Sequence, residues 1–126
     1  LLSRQLWAQI ERGREVRAGD YLGGLGRIKL VNDSFIELFE QRYDAILTPA
    51  APSAAPNGLA STGNPSFCTL WTLCGMPALS LPLLQSSAGM PLGVQLVGAR
   101  YGDARLLRTA RWLAAQVAAE KGKSES

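Results

Sequence analysis

The chain has 126 residues, enough for one domain with a real core and too few for two. Apolar residues make up 47% and charged residues 18%, which excludes a disordered chain. The net charge of +3, with a pI near 9.2, comes from scattered residues with no basic block, which argues against a nucleic-acid partner.

The sequence opens Leu1-Leu2-Ser3 without an initiator Met and already in a helical pattern, as expected of a fragment or a processed chain. Leu2, Leu6 and Ile10 fall at helical spacing with Trp7 beside them, and Gly13 is placed to end that helix. A longer helical pattern follows Asp20, a predicted N-cap, with Tyr21, Leu25, Ile28, Val31, Phe35, Leu38 and Phe39 as one stripe, ending near Tyr43. Gly23-Gly24-Leu25-Gly26 invites a phosphate-loop reading, but no clear strand precedes it and no Lys-Ser or Lys-Thr pair follows. Close helix packing, or a weak point costing about 1 kcal/mol per Gly relative to Ala, explains it better.

Asp44 to Thr48 reads as a short strand ended by Pro49, followed by a Pro-, Ala-, Ser-, Asn- and Gly-rich loop through Gly63. A loop of that length inside a compact domain is functional or mobile. A helix over Ser66 to Cys74 would place Phe67, Leu70, Trp71 and Cys74 on one face and leave Ser66, Thr69 and Thr72 on others, available to a cleft. Cys68 and Cys74 would then point to different sides and stay free, in a reducing compartment. With no His in the chain, a zinc site would need acids, and none cluster near these cysteines.

Gly75-Met76-Pro77 breaks the helix and leads into two apolar runs, Ala78 to Leu83 and Leu92 to Val97. With Gln85 to Gly89 as a polar turn between them, the simplest reading is an antiparallel hairpin. Both runs are apolar at most positions, which predicts a sheet covered on both faces and leaves Gln95 as the one polar side chain in need of a partner. A last helix begins at Gly102-Asp103, with Asp103 as N-cap and Leu106, Leu107, Ala110, Leu113, Ala114 and Val117 buried. Arg105, Arg108 and Arg111 form a row on another face, read as solvated rather than as an anion site. Residues 120–126 read as a disordered polar tail. No apolar run reaches the length of a bilayer span and the first residues lack a signal-peptide pattern, so the expected location is cytoplasmic, with no membrane partner.

Tyr43 to Pro49 followed by Ala55-Pro56, then Phe67 to Pro77, Pro82, Pro91 to Gly98 and the Asp103 to Leu113 helix, resemble in order the C-terminal portion of the amidase signature family. The resemblance covers residues 1–119. It implies an α/β fold in which helices pack on a short β-hairpin and a neighbouring strand, as part of a large mixed sheet. It also implies hydrolysis of carbon-nitrogen amide bonds by a Ser nucleophile activated through a second Ser, in a cis peptide, and a Lys. The matched motifs do not include that triad, so no catalytic residue is carried over, and this chain alone is expected to be inactive. No cofactor or metal enters the reading.

What the matched part implies is a wall of the substrate pocket, mapping onto Thr62, Pro65, Phe67 and Thr69. A simpler reading takes Phe67 and Trp71 as core and the Thr residues as helix caps. Thr72 departs from the Asn common at its position in the family. Pro65 stands where the tRNA-dependent amidotransferase subunits of the family carry an acidic residue, which points toward hydrolysis of an uncharged amide. The expected partners are a small-molecule amide and the N-terminal catalytic segment of the same enzyme, and an exposed sheet edge also admits a homo-oligomer. A second reading is a non-catalytic binding or assembly module derived from an amidase. A third, a small hydrolase using Ser86 or Ser87, ranks last, because a hairpin loop gives those hydroxyls no base. Should the chain fold by itself, Ile46, Leu81 and Val94 are expected to form a sticky surface.

Overall fold

The computed structural model describes residues 2–124. In chain order its elements are helix α1 (Arg4–Arg14), helix α2 (Ala18–Gln41), strand β1 (Ile46–Pro49), helix α3 (Ser66–Cys74), strands β2 (Ala78–Gln85) and β3 (Pro91–Val97), and helix α4 (Asp103–Ser124). The strands form one antiparallel sheet in the order β1-β3-β2. The last strand in sequence is therefore the central one, with the hairpin partner on one side and β1 on the other.

Register fixes what each face of that sheet meets. Val97 stands opposite Ile46 and Ala78, Leu96 opposite Leu47 and Leu79, and Gln95 opposite Thr48 and Ser80. Because side chains alternate across a strand, Val97 and Gln95 face one side and Leu96 the other. On the first side Val97, fully buried, packs with Phe39 of α2 and with Trp71, Cys74 and Met76 in and after α3. Phe35 lies edge-on to Trp71 at 5.5 Å between ring centroids, a geometry worth about 1 kcal/mol beyond area burial. On the second side Leu96 packs with Leu106 and Ala110 of α4, flanked by Leu79, Leu81 and Leu113. The central strand β3 is covered on both faces, as its apolar run predicts, but β1 and β2 alternate between half-buried and exposed residues, so the same expectation fails for β2, where Ala78, Ser80 and Pro82 are exposed.

Local chemistry sets the joints. α3 ends in a Schellman motif: Gly75 adopts φ 64°, its N–H reaches the Thr72 carbonyl at 3.2 Å, and the Met76 N–H reaches the Trp71 carbonyl at 2.9 Å. The hydrophobic contact that accompanies this motif is between Trp71 and Met76, both buried. In the hairpin turn Gly89 has φ 80°, the Ser86 N–H donates to the Met90 carbonyl, and Ser86 Oγ accepts the Met90 N–H at 3.1 Å. Pro82 falls inside β2, where the register shifts between Leu81 and Leu84 and no ladder donor is required of it.

Several expectations need correction. α2 starts at Ala18 with Arg17 at its cap, so Asp20 sits in the first turn, where its charge complements the helix dipole instead of capping it. The Gly cluster lies inside α2, and a Cβ at Gly23, Gly24 or Gly26 would meet nothing within 4 Å, so close packing does not explain it. Tyr21 and Leu25 of the predicted stripe are exposed, as is Leu107 of α4. Asp103 is the first residue of α4; the Gly102 carbonyl accepts the Leu106 N–H and takes the cap position. Residues 120–124, expected to be disordered, continue α4, with Lys123 paired to Glu120 and the Lys121 ammonium donating to the Leu83 carbonyl. The rest of the expected tail lies outside the described residues.

Candidate functional site

Between β1 and α3 the chain runs over the end of the sheet as the loop 50–65, and two concavities form against it. The larger, about 680 Å³, lies between this loop, the ends of β1 and β3 and the hairpin turn, with Thr48, Ser53, Thr62, Asn64 and Ser86 as its polar lining. All its other lining residues are Ala, Gly, Leu, Pro or Val, so no charged side chain faces it. The smaller, about 380 Å³, runs along α3 and is lined by Pro65, Cys68, Thr69, Thr72 and Leu73.

The residues expected to wall a pocket are therefore divided. Thr62 lines the larger cavity, while Pro65 and Thr69 line the groove on α3. Phe67, 37% exposed, lines neither and is not core either, because the α3 face that packs inward carries Trp71 and Cys74. Thr69 is occupied locally, its Oγ1 donating to the Pro65 carbonyl at 3.0 Å. Asn64, which the sequence did not single out, makes an Asx turn leading into α3, its Oδ1 accepting the Ser66 N–H at 2.9 Å, while Pro65 holds the N-cap position without a side-chain bond. An Asn just before a helical run is the signal that could have found it.

The polar centre beneath both concavities is Gln95. Its Nε2 donates to Thr48 Oγ1 at 3.2 Å and to the Phe67 carbonyl at 3.0 Å, which answers the need for a partner that its apolar surroundings create. Cys68 Sγ reaches Gln95 Oε1 and the Ala50 carbonyl, both at 3.6 Å. Both cysteines are free, Cys74 buried and Cys68 half-buried.

Chemically these surfaces can bind and orient an uncharged group, and the hydrogen bonds of Ser53, Ser61 and Ser86 are all to backbone groups. Lys29 Nζ is paired with Asp33 at 2.6 Å on the exposed face of α2, and Lys121 and Lys123 lie at the far end of α4. Ser86 Oγ is engaged by the Met90 amide, Ser61 Oγ by the Gly63 amide, and Ser53 Oγ donates to a neighbouring carbonyl. A Ser nucleophile needs a base within hydrogen-bond reach, and none of these bonds supplies one. No three metal-ligating side chains converge among the described residues.

A three-stranded antiparallel sheet with helices on either side of its central strand, an uncharged cavity at its end and an uncharged groove along α3 make a layered α/β arrangement. A family model described as Amidase matches residues 2–107, and the chain belongs to that family. Among curated relatives it is 43% identical over 88 residues to a glutamyl-tRNA(Gln) amidotransferase subunit from Neisseria meningitidis, a match covering 65% of this chain and 18% of the relative. It is 32% identical over 98 residues to the corresponding mitochondrial subunit from Mus musculus, covering 71% of this chain and 19% of the relative. A solved structure described as a crystal structure of amidase superposes with a TM-score of 0.78 at 26% identity, over 91% of this chain and 29% of that one. The chain thus spans about a fifth of the length of the curated relatives it matches.

Proposed function

We propose that this chain is the C-terminal part of an amidase, and that it supplies sheet, core and a wall of the substrate pocket. In this reading the Ser, second Ser and Lys that break the carbon-nitrogen bond belong to another segment of the same enzyme. The observation that supports it is the pairing of an uncharged cavity and an uncharged groove with lining hydroxyls, Ser53 and Ser86, whose hydrogen bonds are to backbone groups and not to a base, in a chain of the Amidase family.

The substrate that fits is an uncharged amide. A charged acyl group moved into the larger cavity would lose hydration with no opposite charge in the lining to replace it. Pro65, where an acidic residue would have helped to hold a cationic or amino-bearing substrate, lines the groove on α3 in the same sense. The two amidotransferase relatives pull toward transamidation and the amidase structure toward hydrolysis, so substrate chemistry must separate the branches. The test is ammonia release from propionamide, benzamide and glutamine by the enzyme that carries this segment. Turnover of the neutral amides above that of glutamine is expected, and turnover of glutamine alone would overturn the hydrolytic reading. Two free thiols fit a reducing, cytoplasmic setting.

The alternative, a non-catalytic assembly module, is favoured by one specific observation, the apolar surface left on the helices. Leu6 and Trp7 of α1, Leu22 and Leu30 of α2 and Trp112 of α4 are all exposed. An enzyme that carries this segment and releases no ammonia from any amide would move the assignment to that module.

A further inference from the structure

Segments remote in sequence are fastened together at one buried amide. Gln95, 4% exposed at the centre of β3, donates through Nε2 to the hydroxyl of Thr48 in β1 and to the backbone carbonyl of Phe67 in the first turn of α3. Its Oε1 lies 3.6 Å from Cys68 Sγ, and the same thiol reaches the carbonyl of Ala50, where the loop leaves β1. Ala50 is held from its other side by its N–H, which donates to the Gly93 carbonyl at 2.9 Å. Loop 50–65 is thus tied to β3 at both ends, at its start through Ala50 and at its finish through the turn that contains Phe67.

The orientation of the amide follows from chemistry. A backbone carbonyl only accepts, so the Gln95 NH2 group must face Phe67, which leaves the oxygen for the thiol. An aliphatic side chain of similar size would fill the space and serve neither Phe67 nor Cys68. Thr48 lines the larger cavity and Cys68 lines the groove on α3, so the residues that Gln95 holds are themselves parts of the two walls.

We propose that Gln95 is a positioning residue: it clamps the first turn of α3 to the exit of β1 and so fixes the form of both concavities. It faces neither as lining and acts through Thr48, Phe67 and Cys68. The clamp is independent of any reaction, whereas its consequence for substrate rests on the amidase reading.

The test uses the 126-residue chain and two local readouts: the rate at which N-ethylmaleimide labels Cys68, with buried Cys74 as internal reference, and amide hydrogen exchange across residues 50–65. In Gln95→Leu both are expected to rise about tenfold, while Cys74 labelling and exchange in β3 hold their original rates. Thr48→Val removes one acceptor from a half-buried position and serves where Gln95→Leu does not fold; it is expected to loosen the same residues by about threefold. Unchanged rates at Cys68 and the loop in a folded variant would overturn the clamp. So would a uniform acceleration that includes β3, because that is loss of global stability alone.

In the enzyme that carries this segment, Gln95→Leu is expected to raise KM for a neutral amide more than it lowers kcat. A loss confined to kcat would overturn the link to the pocket wall. Absence of amide hydrolysis by the unaltered enzyme would instead overturn the amidase reading, and the labelling and exchange results would still decide the clamp.

Discussion

Gly93 shows how little space separates loop 50–65 from the sheet it crosses. A Cβ at this position would sit 2.5 Å from Ser80 Oγ and 2.9 Å from Ala50 Cβ. The Ser80 hydroxyl can rotate away, but Ala50 is held by its own backbone bond to Gly93. Gly93→Ala is therefore expected to cost about 1–3 kcal/mol, read from the urea unfolding midpoint, with Ser80→Ala in the same chain recovering only part of it. Full recovery in the double variant would show that Ala50 yields easily. Two aromatic residues of α3 make the converse comparison. Trp71, buried between Phe35 and Met76, should lose about 3–5 kcal/mol on truncation to Ala, and Phe67 less than about 1 kcal/mol, measured in the same titration. Similar losses for the two would mean that Phe67 is core after all. The sequence placed both on one face because they are four residues apart, but Phe67 lies in the first turn of α3, where it is exposed, and Trp71 one turn on, where Phe35 covers it.

At the scale of elements, α1 is the outlier. Its N-cap is sound, with Ser3 Oγ accepting the Leu6 N–H at 3.2 Å, yet none of its residues is buried. Helices this short gain most of their stability from packing an apolar face, and here Leu6 and Trp7 are exposed. Removal of residues 1–16 is expected to shift the thermal midpoint of the rest by less than about 2 °C. A larger fall would show that α1 docks on α2 or the sheet. The boundaries of α3 and the pairing of the hairpin strands were legible because Gly75, Pro77 and Gly89 punctuate them with residues that local backbone geometry demands. The order β1-β3-β2 was not, since the long loop 50–65 between β1 and α3 carries no register information. Ile46, Leu81 and Val94 are expected to form a sticky surface where they would meet the rest of a larger sheet if the chain folds by itself. In the folded chain all are half-buried, with Ile46 and Leu81 packed against the two cores. The row of Arg residues on α4 was likewise incomplete as a solvated face, because Arg105 reaches back to Asp44 at 2.6 Å. That pair is exposed and worth less than about 1 kcal/mol, but it reports where α4 crosses the approach to β1.

For the molecule as a whole, the family was legible from ordered motifs, whereas fold and site were legible to different degrees. Fold follows from the described residues: apolar runs on both faces of β3 call for helices on both sides, and α2, α3 and α4 provide them. The site was only half legible. Gln95 could be singled out as a buried polar group in need of a partner, but its partners lie 28 and 47 residues away in sequence, at Phe67 and Thr48. Thr62, Pro65 and Thr69 could be placed near a cleft, whereas their division between two concavities depends on how loop 50–65 crosses the sheet. If these residues shape a pocket and do not themselves break the amide, the chain should have no chemistry of its own. The decisive measurement is ammonia release from a panel of aliphatic and aromatic primary amides by the purified 126-residue chain, with intact mass recorded on the same sample. No release is expected at the mass of this chain; release above the buffer blank, abolished by Ser86→Ala or Ser87→Ala, would contradict the assignment of catalysis to another segment.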